Sequence, residues 1–432
     1  MEDRNEILME NGEKHTVKGY KALWQPVLLI GLLLLGGCQE KENHKPETRQ
    51  EAETIKSASE DSKGACGSER GYDLPVEDKD RKEAEADCQN AMEKVRETYL
   101  NAGCGNASGG AIGRETARQM LEELKELGNP AADLGYGYNM QNYEHMDRFL
   151  TSSVNGKEGE VTLFELYPDG GIGRKKFRFD GKHIYVWYTN AAWSSSVTPL
   201  ISATSYTRIR DWVYTEKGWF SYELPEAPDI TDSIMNGNTT IRVKPIKEEY
   251  RETAAKYLKP VGYQGNNLFC SNWDENHMEE LDYNGIFQYL YPMEYQKNFP
   301  SDQYGEGIPG EEFENLLTKY LPVTGEQLKE YAVYDPKEQR YGWVRLGCGN
   351  YIPNAFGNSE PEITDMRENE DGTVTLTVDA VCVMTGNDKA MSHELTVRFT
   401  EEGGIQYVKN QILGDGLERI PEYQRRFGGN AG

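Results

Sequence analysis

Apolar residues are distributed along this chain in several distinct ways, and each predicts a different kind of segment. From Val27 to Leu35 they are nearly continuous. From Gln39 to about Asp80 they all but vanish among Glu, Lys, Ser and Asp. A run of that kind cannot offset its ordering entropy by burial, so it is expected to be a flexible tether. "RKEAEADCQNAMEKVRETYL" (81–100) and "RETARQMLEELKELGNP" (114–130) then take up helical spacing. In the second, Met120, Leu121, Leu124 and Leu127 form one stripe, with Gly128 as the stop and Pro130 beyond it. A third short helix is expected within "NMQNYEHMDRFL" (139–150), where Met146, Phe149 and Leu150 face a core.

From Glu160 the period changes to alternation. "EVTLFELYPDGGIGRKKFRFDGKHIYVWYTN" reads as three strands joined by turns at Pro168-Asp169-Gly170 and Asp180-Gly181. "SYTRIRDWVYTEKGWFSYEL" (205–224) reads as two more around Glu216-Lys217-Gly218, which together predict a five-stranded antiparallel meander flanked by helices. "KEEYRETAAKYL" (247–258) is expected to be helical. Pro309 and Gly310 open a further helix over 311–321, with Phe313, Leu316, Leu317 and Leu321 on one side, and "GEQLKEYAVY" follows as another. Strands then dominate at 341–346, 373–384, 393–400 and 404–413. The fold class is therefore α+β, with helices and antiparallel β meanders in two domains, 81–245 and 309–432, joined by a connecting region over 246–308. The order of helices and then a curved antiparallel sheet in the second domain resembles the cone-shaped nuclear-transport-factor-2-like fold. Across 310–413, "YDPKEQRYGWVRL", "DGTVTLTVDAV" and "GGIQYVKNQIL" are similar in layout to uncharacterised lipoproteins of anaerobic Gram-positive bacteria. That resemblance implies a source and no catalytic residues.

The opening apolar run is too short to cross roughly 30 Å of hydrocarbon, which takes about 20 residues. It suits the apolar segment of an export signal, with Lys14, Lys18 and Lys21 on its amino-terminal side. Leu35-Gly36-Gly37-Cys38 resembles the lipobox of bacterial lipoproteins, in which the cysteine thiol receives a diacylglyceryl group and a peptidase cuts just before it. The resemblance implies a signal peptide over 1–37, lipidation at Cys38, an acidic and polar tether over 38–80, and a place on the extracytoplasmic face of the cell membrane. Two acyl chains anchor stably where one holds only marginally.

The chain carries a net charge of −25, and its first 37 residues hold five acids against four bases, which leaves −24 in the mature protein. A nucleic-acid partner is excluded on this balance, because phosphate neutralisation needs a basic face. With Cys38 acylated, Cys66, Cys88, Cys104, Cys270, Cys348 and Cys382 remain, in a compartment that permits disulfides; their pairing is open. No CxxC spacing occurs, so neither a metal nor another cofactor is expected.

Among local motifs, "GCGNASGG" (103–110) fits neither a phosphate loop nor a nucleophile elbow: it follows a helix, lacks the terminal Lys, and Ser108 is one place off. "NWDENHMEE" (272–280) gathers oxygen and nitrogen ligands, yet Glu279 stands where a calcium loop needs glycine, so a solvated acidic loop is expected. His44, His145, His183 and His393 have no nucleophile recognisably beside them. The aromatic residues carry more. Alternation sends Tyr185 and Trp187 to one face, opposite Ile184, Val186 and Tyr188, and together with Trp193, Trp212 and Trp219 they form the candidate ligand-binding set. Flat rings with polar edges stack on sugars or grip an extended peptide; the alternative is that they pack the core under the helices. The expected function is a non-enzymatic binding or assembly component at the cell surface, with a cell-wall glycan or peptide, or another membrane protein, as partner. Two rival classes stay open: a wall- or glycan-directed hydrolase with a carboxylate acid and base, and a structural module of a membrane complex.

Overall fold

Two amphipathic stripes open the fold. Helix α1 (Asp78–Asn101) turns Cys88, Ala91, Met92 and Val95 inward, and α2 (Arg114–Lys125) does the same with Met120, Leu121 and Leu124. The computed structural model describes residues 71–72, 74–103, 111–225, 238–346 and 354–427. Strand β1 (Ala131–Asp133) and helix α3 (Tyr143–Val154) precede β2 (Gly159–Leu166), β3 (Ile172–Phe179), β4 (Ile184–Trp193) and β5 (Pro199–Arg208). These form one sheet in the order β1-β2-β3-β4-β5, antiparallel except for the β1–β2 pair. Strand alternation sorts the two faces. Phe164, Leu166, Ile172 and Ala191 pack with α1 and α2, whereas Leu163, Phe177, Ile184 and Val186 pack with Met146, Phe149 and Leu150 of α3.

The last two strands of the expected meander lie elsewhere. Pairing with β4 ends at Arg208, and β6 (Asp211–Tyr214), β7 (Trp219–Glu223) and β8 (Asn238–Arg242) make a separate three-stranded sheet. Its Phe220, Tyr222 and Ile241 close the core on the α3 side. The stretch 199–208 is rich in Ser and Thr and has no apolar stripe, so only its pairing with β4 makes it a strand. Its far edge is also used: Arg208 N–H donates to Gly71 O at 2.6 Å and Leu74 N–H to Tyr206 O at 2.9 Å. The described part of the expected tether thus pairs with the sheet edge and continues into α1.

In the second half, α4 (Glu248–Thr253) runs into a π-helical turn at Ala254–Leu258, followed by α5 (Tyr283–Tyr295), β9 (Ile308–Pro309), α6 (Gly310–Tyr320) and α7 (Gly325–Tyr331). Thr324 and Gln327 close a capping box on α7. After the short β10 (Tyr334–Asp335) and β11 (Arg340–Tyr341) come β12 (Glu360–Glu368), β13 (Val374–Cys382), β14 (Asn387–Phe399) and β15 (Ile405–Ile412), an antiparallel sheet in sequence order. One core unites Leu258, Phe269, Ile286 and Phe287 with Phe313, Leu317, Leu376 and Val397, so residues 246–308 supply a large part of it. Of the strand expected over 341–346 only Tyr341 is in one, as the last residue of β11. Beyond it the backbone is taken by other partners: Gly342 N–H donates to Val333 O, and Gly342 O accepts from the Asn284 amide. Strand β12 escapes the sequence pattern because its few apolar residues, Pro361, Ile363 and Met366, are each separated by Glu, Thr or Asp.

Inside this half, His393 is fully buried on β14. Asn410 donates its amide N–H to Ser271 O at 2.8 Å, which turns its Oδ1 toward His393 Nδ1 at 2.6 Å. That arrangement assigns the ring proton to Nδ1, so Nε2 accepts from the Tyr263 hydroxyl at 3.0 Å. Burial holds the imidazole pKa down at about 4, against an ordinary 6.5. The unfolded chain therefore binds a proton before the folded one does, and stability present above pH 6.5 is lost as pH falls toward 4. The step amounts to about 3 kcal/mol. Urea unfolding of His393→Gln across this window is expected to lack the step that the parent chain shows.

The small sheet meets the C-terminal sheet through buried charge. Glu362 and Asp379 are direct cross-strand neighbours on β12 and β13 and are 6% and 5% exposed. Lys217, in the β6–β7 turn, places Nζ 3.1 Å from Glu362 and 3.0 Å from Asp379. Arg242 of β8 lies 3.1 Å from Glu362, the Trp219 indole N–H donates to the same carboxylate at 2.9 Å, and Ser392 donates to Asp379 at 2.5 Å. Gly218, at φ +93°, gives the turn a conformation that side chains rarely adopt. Removing one member of such a cluster strands its partners in the interior. Glu362→Gln is expected to cost about 3 kcal/mol in urea unfolding, within the range for a broken buried ion pair.

Candidate functional site

The ring cluster on β4 and β5 arises from strand register. Trp187 sits opposite Tyr206, and Tyr185 opposite Arg208. On the other side of β4, Lys176 pairs with Trp187 and Arg178 with Tyr185. Cross-strand partners share a face, so Tyr185, Trp187 and Tyr206 come together with a guanidinium on each side of Tyr185. Ring centroids are 5.7 Å apart for Tyr185 and Tyr206 and 5.9 Å for Trp187 and Tyr206, while His183 meets Tyr185 edge-on at 6.5 Å. Tyr185, Tyr206 and His183 are half-buried. Trp187 forms the floor at 7% exposure, and its indole N–H finds no acceptor among the described residues.

Burial pushes the Tyr185 phenol above its ordinary pKa, reinforced by the charge of Asp180. Burial raises Tyr206 likewise, opposed by Arg178. Both therefore present neutral hydroxyls at neutral pH. The opposite side of β4 turns Ile184 and Val186 into the core shared with α3. The result is a ladder of apolar ring faces with hydroxyl donors and guanidinium flanks, suited to stacking on flat or extended ligands.

The other members of the expected set are dispersed. Trp193 stacks on Tyr99 at 4.8 Å and donates its N–H to Gly170 O. Trp212 packs edge-on against Phe179 and Phe220 between the two sheets. Trp219, 8% exposed, belongs to the buried charge cluster and carries Arg242 above its ring at 5.4 Å. Tyr206 and His183 join the ladder without having been singled out; Tyr206 became visible only once 199–208 was placed beside β4.

The remaining candidates are held in local structure. In "NWDENHMEE", the Asp274 carboxylate and His277 Nδ1 lie 2.9 Å apart on an exposed turn, and His277 lowers the Asp274 pKa. Among the described residues no group of three or more His, Cys, Asp or Glu side chains is arranged to hold a metal ion. Cys88, Cys270 and Cys382 are free thiols, and burial pushes the first two up to about 12. Residues 104–110, containing most of "GCGNASGG", lie outside the described residues, as do Cys38, Cys66, Cys104, Cys348 and His44. No helix among the described residues is long and apolar enough to cross a membrane.

This architecture defines an α+β protein with a half-buried ladder of rings on one face near the edge of its first large sheet. The chain belongs to the family of unknown function DUF6070, which it matches over residues 81–426. No curated protein and no solved structure matches it. Tyr185→Ala and Tyr206→Ala are expected to lower stability by no more than about 1 kcal/mol, in keeping with half-exposed positions. Trp219→Phe, which removes a buried donor from Glu362, is expected to cost more, about 1–3 kcal/mol, in the same urea titration.

Proposed function

We propose that this protein is a lipid-anchored, extracytoplasmic binding component whose folded body grips a surface glycan or an extended peptide through the Tyr185–Tyr206–Trp187 ladder and performs no chemistry on it. The ladder is the observation that carries the reading. Its rings stand partly clear of the core, on strands held by two packed faces, with the exposed Arg178 beside them to meet a carboxylate on the ligand.

Two further features support it. Under the lipobox reading, residues 1–37 leave as a signal peptide and Cys38 carries the anchor. The chain then reaches the fold at Gly71, beside β5, after a polar run that as a coil spans on the order of 30 Å. The close pair of buried carboxylates, Glu362 and Asp379, is also fully engaged by Lys217, Arg242, Trp219 and Ser392. It is thereby withheld from acid–base work on a substrate.

Two measurements test the anchor and the ladder. Cys38→Ala should abolish fatty-acid labelling and release the protein from membranes; labelling that survives the change removes the lipid reading. Wall glycan fragments or wall peptides should shift the tryptophan emission of the parent protein saturably, and Tyr185→Ala or Tyr206→Ala should weaken that response at least about tenfold. Emission unchanged by every wall fragment would end the binding reading.

A further inference from the structure

The first large sheet has a strand edge that its own chain leaves open. Strand β2 pairs with β3 without a break from Gly159 to Leu166, whereas β1 covers its other side only over 164–166. There Phe164 N–H donates to Pro130 O and Leu166 O accepts from Leu134 N–H, so the even-numbered residues of β2 turn their backbone groups to that side. By the same alternation Glu160 and Thr162 turn theirs outward beyond the end of β1, and among the described residues neither finds a backbone partner there. Two N–H and two C=O groups thus stand in line at an accessible margin.

A cleft of about 380 Å³ runs along this edge, a volume within the range of ligand sites. Residues 158–162 form one wall, and His145, Arg148, Phe149 and Ser152, at helical spacing on α3, form the other. Asn129 and Pro130 shut one end, where the chain enters β1. Both carboxylates of the strand wall are turned away from α3: Glu160 lies opposite Arg178 and pairs with Lys176, and Glu158 lies against Gly181. Between them Gly159 faces Phe149, and Val161 packs with the core on the α3 side. The α3 side of the cleft is therefore apolar at Phe149 and Val161. Its guanidinium, Arg148, is exposed and has no ion-pair or hydrogen-bond partner among the described residues.

We infer that this cleft takes an extended peptide that ends in a free carboxylate. The peptide adds a strand beside β2: its main chain exchanges hydrogen bonds with Glu160 and Thr162, a side chain turned toward α3 covers Phe149 and Val161, and its terminal carboxylate meets the Arg148 fork. Three observations select this occupant. The unpaired groups are backbone donors and acceptors at strand spacing, which another strand matches. The cleft is shut at Pro130, which suits a chain end rather than a chain passing through. The unpaired charge beside it is a cation, which favours a carboxyl end over an amino end. The inference goes beyond the ring ladder, which belongs to β4 and β5.

The test uses the full-length protein and acetyl-lysyl-threonyl-valyl-threonyl-valine as probe, with its C-terminal amide as control. Hydrogen–deuterium exchange read by mass spectrometry is expected to show saturable protection of residues 159–163 by about two amides, those of Glu160 and Thr162. The amide control should need at least about tenfold more peptide for the same protection, and so should Arg148→Ala with the free acid. Arg148→Lys should keep part of the affinity. Thr162→Pro deletes one outward N–H where an edge strand tolerates proline, and should abolish the protection at Glu160. Should that variant lose its native circular dichroism spectrum, Arg148→Ala, at an exposed position, decides alone. No protection up to about 1 mM probe overturns the inference, as does equal protection by the amide or in Arg148→Ala. Protection of the same residues that rises with protein concentration alone overturns it too, because the edge then serves a second copy of this chain.

Discussion

Two carboxylates placed directly opposite each other on neighbouring buried strands impose the strongest constraint in the molecule. Glu362 and Asp379 are almost wholly removed from water, where charge is costly without a partner, and the cations paired with them among the described residues come from outside their own sheet. Lys217 and Arg242 arrive from the small three-stranded sheet, and Trp219 and Ser392 occupy further lone pairs. The demand for neutralisation thus fixes where β7 and β8 lie along β12 and β13. Because Phe220, Tyr222 and Ile241 of that small sheet also close the core beneath the first large sheet, one ionic cluster sets the position of both hydrophobic cores.

Much of this architecture is visible in local pattern. The stripe on α2, the alternation through β2 to β4 and the glycine turns between them read directly from the chain, because period and turn residues are local signals. Strand β5 is only partly visible to the same reasoning: its last four residues fall in the strand expected from Ser205, whereas the stretch before them gives no periodic signal and takes its identity from the partner strand. The buried trio Tyr263, His393 and Asn410 joins residues remote in sequence through a hydrogen-bond chain that no spacing rule anticipates. Half of the ring ladder was legible for the reason α2 was. Tyr185 and Trp187 are two apart on one strand, whereas Tyr206 required knowledge of register. The lipobox is the reverse case, a signal carried by sequence alone.

The two open margins of the first sheet lie where its helical cover ends. On one face α1 leaves Tyr185 and Tyr206 partly open; on the other α3 parts from the beginning of β2. A sheet flanked on both sides keeps its centre for packing, as the buried Phe164, Ile172 and Phe177 show, and can offer side chains to a ligand only along its margins.

The pairing of Gly71 and Leu74 with the outer edge of β5 also has a mechanical meaning. The two backbone bonds, from Arg208 to Gly71 and from Leu74 to Tyr206, hold Gly71 and Leu74 against the edge in antiparallel order. Tension directed along the edge loads both bonds together, in shear. Tension directed across it opens them one after the other, like a zip. The first fold element after the amino-terminal stretch is therefore a directional fastening, stiff to a lengthwise pull and weak to peeling.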